Sequence, residues 1–113
     1  MKRVDKPWGY ELIFAYTDRY VGKIIHINKS QQLSLQYHRT KEETIYLSRG
    51  LMKLEVEEDG HMVDHLLQVG QCYHIPPGIK HRFTAIKECE LFEVSTPHLD
   101  DVVRLEDRYG RVK

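Results

Sequence analysis

A chain of 113 residues can close one hydrophobic core but not two, so we expect a single domain over residues 1–113. Its 17 basic and 17 acidic residues cancel to a net charge of zero, which argues against nucleic acid as a partner. No apolar run reaches membrane-spanning length, and Met1-Lys2-Arg3-Val4-Asp5 has no signal-peptide hydrophobic stretch. Cys72 and Cys89 lack CxxC spacing and read as reduced thiols, so the expectation is a cytoplasmic protein with no membrane partner.

Residues 1–11 contain Lys6-Pro7-Trp8-Gly9-Tyr10-Glu11 and read as a loop-like arm whose aromatics plug one side of the fold. Tyr20 to Ile27 is rich in β-branched residues and reads as a strand, ended by a turn at Asn28-Lys29-Ser30. From Leu33 to His38 apolar and polar residues alternate. Leu33, Leu35 and Tyr37 would face outward, and Ser34, Gln36 and His38 would line a wet cavity. Two strands follow, Thr44 to Leu47 and Leu51 to Glu57. Asp59-Gly60 is a hairpin turn, and Met62 to Val69 returns. His81 to Ile86 and Glu90 to Val94 read as a last antiparallel pair around Lys87-Glu88-Cys89. The charged segment 98–113 reads as an extended tail or a short helical turn. Short strands at regular spacing, without helical periodicity before residue 98, indicate a closed all-β fold.

Two stretches carry the chemistry. In Gly70-Gln71-Cys72-Tyr73-His74-Ile75-Pro76-Pro77-Gly78-Ile79-Lys80-His81, the two prolines end a strand and Gly78 supplies the sharp reversal. His81 then opens the next strand with a fixed direction. Upstream, Gln36 and His38 share a strand face, Glu43 follows His38 after four intervening residues, and Gly50 follows Glu43 after six. Gln36, His38, Glu43 and His81 together offer two imidazole nitrogens and two oxygens, a set suited to a divalent transition metal.

These stretches resemble the two motifs of the cupin family, H-x-H-x4-E-x6-G and G-x5-P-x-G-x2-H. Gln36 stands for the first histidine, Ser30 for a leading glycine and Ala85 for a trailing asparagine. The resemblance implies a small double-stranded β-helix, the jelly-roll cupin barrel, with Gln36, His38, Glu43 and His81 as metal ligands. Three further segments are similar to the cupin domain of type II mannose-6-phosphate isomerases: Lys6 to Glu11, Leu33 to Arg39, and Val102-Val103-Arg104-Leu105-Glu106-Asp107-Arg108-Tyr109-Gly110-Arg111. Arg39, Thr40, Thr44 and Ile45 depart from that family's histidine run and His-Trp pair.

The resemblance implies aldose/ketose interconversion on a phosphorylated sugar, with zinc or manganese as the metal and iron or nickel as alternatives. Glu93 and His74 are candidate bases, which strand parity leaves undecided because the Pro76-Pro77 bend resets it. The plainer reading of Glu93, and the preferred one, is a cross-strand charge partner. Arg82, Arg104 and Lys23 are candidate contacts for an anionic substrate, with surface ion pairs as the plain alternative. His26, His61, His65 and His98 read as solvated or turn histidines. A metal-dependent dioxygenase and a non-catalytic sugar-binding or regulatory module are the competing readings. Leu33, Leu35, Tyr37 and Tyr46 would form the interface of a homodimer.

Overall fold

The computed structural model describes residues 1–112, which form nine strands and no helix. They are β1 (Lys2–Lys6), β2 (Gly9–Tyr16), β3 (Val21–Ile27), β4 (Leu35–Tyr37), β5 (Glu43–Glu58), β6 (His61–Leu67), β7 (Cys72–Ile75), β8 (His81–Ser95) and β9 (Val103–Glu106). All pairings between them are antiparallel.

Strands β5 and β8 carry the architecture. They run against each other from Glu43↔Ser95 to Val56↔His81, and the register slips between Leu47 and Met52. Before the slip, β3 flanks β8 and β7 flanks β5, giving one curled face in the order β1-β2-β3-β8-β5-β7. Beyond it, β4 flanks β8 and β6 flanks β5, giving the second face, β9-β4-β8-β5-β6. The result is the jelly-roll barrel.

Burial along β5 shows what the slip does. Glu43, Ile45 and Leu47 are buried before it, and Met52, Leu54 and Val56 after it. The irregularity moves the inward parity from odd to even, so the inner face stays continuous around the bend. Gly50 sits in that bend at φ 96°, where a Cβ would lie 2.2 Å from the Glu88 carbonyl oxygen. Only glycine meets both conditions. The enclosed core includes Ile25, Ile27, Ile45, Leu47, Leu54 and Leu91, each contributing about 1.5–3 kcal/mol by leaving water.

Four sequence expectations are corrected here. Residues 1–11 are mostly strand: β1 turns through Pro7-Trp8 into β2, although Trp8 does plug the core as expected. Residues 43–58 and 81–95 are each one continuous strand. Lys87-Glu88-Cys89 makes no reversal, because the long strand β8 keeps its pairing with β3 and β5 through that region. The tail contains strand β9, held on β4, and no helical turn among its described residues.

The expected outer face is only partly present. Leu33 is buried in the core, since the segment before β4 is irregular and Leu33 N–H donates to the Phe83 carbonyl. Tyr46 is exposed and stacks on Phe92, with ring centroids 6.3 Å apart. Cys72 is exposed and Cys89 buried, and both are free thiols.

Candidate metal centre

Three strand ends deliver the donor groups. His38 follows β4, Glu43 opens β5 and His81 opens β8. Gln36 lies directly opposite His81 on one side and Arg104 on the other, so these three side chains share the inner face. The turn between His38 and Glu43 is fixed from the tail. The Asp101 carboxylate accepts the backbone N–H groups of Arg39, Thr40 and Lys41 at 3.0, 2.7 and 2.8 Å. Gly78 N–H donates to the His38 carbonyl at 2.7 Å, tying the Pro-Pro-Gly corner to the same place.

The imidazoles are oriented by backbone carbonyls. His38 Nδ1 lies 2.6 Å from the Asp101 carbonyl oxygen and His81 Nδ1 lies 2.9 Å from that of Ile79. A carbonyl only accepts, so each Nδ1 is the donor, and each Nε2 is turned toward the cavity. Both Nε2 atoms are buried without a hydrogen-bond partner. They face Glu43 Oε1 at 3.7 and 3.4 Å, and the three donor atoms lie within 4.8 Å of one another. Two imidazoles held from behind by backbone carbonyls and one carboxylate are thus gathered around one point. The residues fit a divalent metal. Gln36 lines the same pocket, but its Oε1 accepts from Ser34 Oγ at 2.7 Å.

A buried ion cluster adjoins the donor set. Lys41 Nζ lies 3.1 Å from Glu43 Oε2 and 3.1 Å from Glu93 Oε2, and the three side chains are almost wholly buried. Burial works against the charge on Lys41, but Glu93 and Glu43 outweigh it and hold the ammonium above its usual range. Burial also opposes ionisation of Glu43; contacts with His38 and His81, then the charge of Lys41, reverse this and keep it well below the carboxylate range. Glu93 goes the other way. Burial, reinforced by the Glu43 charge, lifts it to about 7.

Asp101 gives the site an acid limit. Burial would raise its pKa, but the three backbone donors lower it to about 2. A depressed carboxylate pKa contributes stability that is fully present above about pH 4 and is lost as pH falls through about 2. The stability advantage of wild type over Asp101→Asn, read from urea midpoints, should therefore shrink between those limits. A gap independent of pH would show that the charge on Asp101 plays no part.

The structure brings Gln36, His38, Glu43, Glu93, Lys23 and Arg104 to one pocket, with His81 against it. Lys23 lies directly opposite Glu93 across the β3–β8 ladder, which settles the inward parity of both. His74 is elsewhere. It points to the exposed side and bonds Glu42 at 2.6 Å, because its β5 partner is Thr44, one residue out of phase with the buried Glu43 and Ile45. Arg82 also lies outside the pocket, forked onto Glu55 at 2.8 and 3.0 Å and reaching Glu106 at 3.1 Å. His26 is not solvated: it is buried, stacked on Tyr10 at 4.8 Å, and meets Glu88 at 2.8 Å. Sequence reasoning missed Lys41, Lys6 and Asp101. Lys41 stands two residues before Glu43, but in the turn ahead of β5, where strand parity gives no direction.

Fold and donor set together define a small β-barrel with a buried His/Glu/His cluster able to hold a metal. The family model described as "Cupin domain" matches residues 23–95, and the chain belongs to the cupin family. It is 36% identical to mannose-1-phosphate guanylyltransferase of Escherichia coli (strain K12), over 98% of this chain and 23% of that protein. It is 32% identical to the xanthan biosynthesis protein XanB of Xanthomonas campestris pv. campestris (strain B100), over 97% of this chain and 24% of that one. The chain thus spans about a quarter of the length of these curated relatives. Among solved structures, KdgF from Halomonas sp. superposes with a TM-score of 0.73 at 16% identity, covering 88% of this chain and 89% of that one. An oxalate decarboxylase from B. subtilis gives 0.80 at 15%, covering 92% and 30%. At such identities these likenesses concern the fold alone.

Proposed function

We propose that this cupin is a metal-dependent isomerase interconverting an aldose phosphate and a ketose phosphate, with mannose 6-phosphate and fructose 6-phosphate as the pair. The observation that carries the reading is Glu93, a buried carboxyl linked through Lys41 to the Glu43 of the donor set. His38, Glu43 and His81 would hold the metal, zinc or manganese suiting two imidazoles and a carboxylate. When bound, such an ion polarises a substrate carbonyl and steadies the oxyanion that develops on it.

The remaining work falls to the chain. Glu93 takes the proton from the carbon beside the carbonyl and returns it to the former carbonyl carbon, while the hydroxyl proton of the first carbon passes to the former carbonyl oxygen, completing the shift through an enediol. A carboxyl near pKa 7 is matched to both halves of that task. Lys41 fixes Glu93 against rotation. Gln36 lines the pocket as a hydrogen-bond partner for a substrate oxygen, and Trp8, Leu33 and Phe83 supply part of its apolar lining. The first of the two relatives is named for an enzyme of mannose 1-phosphate, which supports a mannose phosphate as the ligand class. The test is to load the protein with zinc or manganese and supply mannose 6-phosphate in D2O. Fructose 6-phosphate carrying solvent deuterium is expected. With neither ion producing ketose or exchange, the isomerase reading fails.

A further inference from the structure

The pocket is lined by the cations Lys6, Lys23, Lys41, Arg104 and Arg111, and most of them are matched within the chain. Lys41 bridges Glu43 and Glu93, Lys23 meets Glu11 at 3.3 Å, and Arg111 forks onto Asp107 at 2.8 and 2.9 Å. Asp101, the remaining acid of the lining, is taken up by backbone N–H groups. Two cations are left over. Among the described residues, neither Lys6 nor Arg104 has an ion-pair or side-chain hydrogen-bond partner, and Arg104 Nε is buried without any. Both side chains are half-buried, so their charges are only partly hydrated. Lys6 registers this: burial lowers its pKa, Glu11 opposes, and the like charges of Lys23, Arg104 and Arg111 lower it further.

An unpaired, partly desolvated cation costs stability unless an anion meets it. Here two such cations converge from opposite ends of the chain, Lys6 from β1 and Arg104 from β9. Their position relative to the metal centre is set by strand pairing. Arg104, Gln36 and His81 occupy one cross-strand row over β9, β4 and β8, so Arg104 starts two strand spacings, roughly 10 Å, from His81. That is about the span of an open-chain hexose phosphate from carbonyl to phosphorus.

We propose that Lys6 and Arg104 form a phosphate-dianion subsite at the pocket rim, which seats the anionic end of the ligand and so directs its carbonyl end to His38, Glu43 and His81. The second half of that statement rests on the isomerase reading; the anion subsite itself does not. The subsite also separates Arg104 from Lys23, whose charge is already answered by Glu11.

The test uses inorganic phosphate and the full chain as purified, at constant ionic strength. In wild type, titration should shift the Arg104 Nε–H resonance to saturation. Arg104→Met and Lys6→Met should each weaken phosphate binding by about 10-fold or more, while Lys29→Met, at an exposed lysine of the Asn28-Lys29-Ser30 turn, should not. Without phosphate, both pocket variants should melt at or above the wild-type temperature, because each removes an unmatched charge; a purely structural role predicts a fall. An unmoved Arg104 resonance, or equal affinity in all three variants, overturns the proposal. Normal phosphate binding with no sugar-phosphate turnover would sink the isomerase reading and leave the subsite standing.

Discussion

Replacing Glu93 with Gln is expected to lower kcat for sugar-phosphate isomerisation by about 10²–10⁴-fold while leaving the metal content per chain unchanged. Glutamine keeps the shape of the side chain, so packing between Lys23 and Ile45, its neighbours across β3 and β5, is preserved. What is lost is a group that can hold a proton. The pH profile provides the second reading. Glu93 must be ionised to act as a base, and burial together with the Glu43 charge places its pKa at about 7. Wild-type kcat should therefore rise as pH passes through about 7, and the residual activity of Glu93→Gln should lack that step. Full activity in the variant would reduce Glu93 to a charge partner of Lys41, the plainer role the sequence also allowed. Loss of metal together with activity would assign it to the ion site instead.

Lys41→Met should destabilise the metal-free chain by about 3–5 kcal/mol, among the largest effects a single substitution can have in so small a barrel. The substitution keeps the aliphatic stem and deletes the ammonium that lies 3.1 Å from both Glu43 and Glu93. Two carboxylates would then share a buried space with only the more distant Lys23 to offset them. A divalent ion between His38, Glu43 and His81 restores positive charge at that point. Added zinc should therefore recover more stability in Lys41→Met than in wild type, as read by thermal melts with and without chelator. Equal zinc-induced shifts in the two proteins would show that Lys41 and the metal do not answer the same negative charge.

The donor set was legible because its logic is local. Strand parity puts Gln36 and His38 together and a proline-glycine corner aims His81, while the convergence of these residues with Glu43 was read from their resemblance to the cupin motifs. The hairpin at Asp59-Gly60 was equally readable: both residues take positive φ, 51° and 80°, as that turn demands. What the sequence concealed depends on partners distant in the chain. Lys87-Glu88-Cys89 has the polarity of a turn, yet it is a kinked stretch of continuous strand in which buried Cys89 contacts the Leu51 and Lys87 carbonyls. Pro7-Trp8-Gly9 looks like an open loop, yet it closes a hairpin, and Gly9 packs so tightly that a Cβ would lie 2.0 Å from the His26 carbonyl oxygen. The tail is charged and short. Only its pairing with β4 reveals Arg104 beside Gln36, and only the fold shows Asp101 pinning the turn before Glu43. His74 and Arg82 show the reverse case: residues of the right chemistry whose register sends them outward.

The β5–β8 ladder has a bearing on how the molecule assembles. Its partners, from Glu43↔Ser95 to Val56↔His81, lie roughly 25 to 50 positions apart along the chain, and both curled faces are built from the same two strands. Both halves of the barrel therefore depend on the same long-range pairing, and non-local pairing of this kind favours slow folding. His38 and Glu43 arrive from one side of that long closure and His81 from the other, so the three side chains meet only once the barrel has closed.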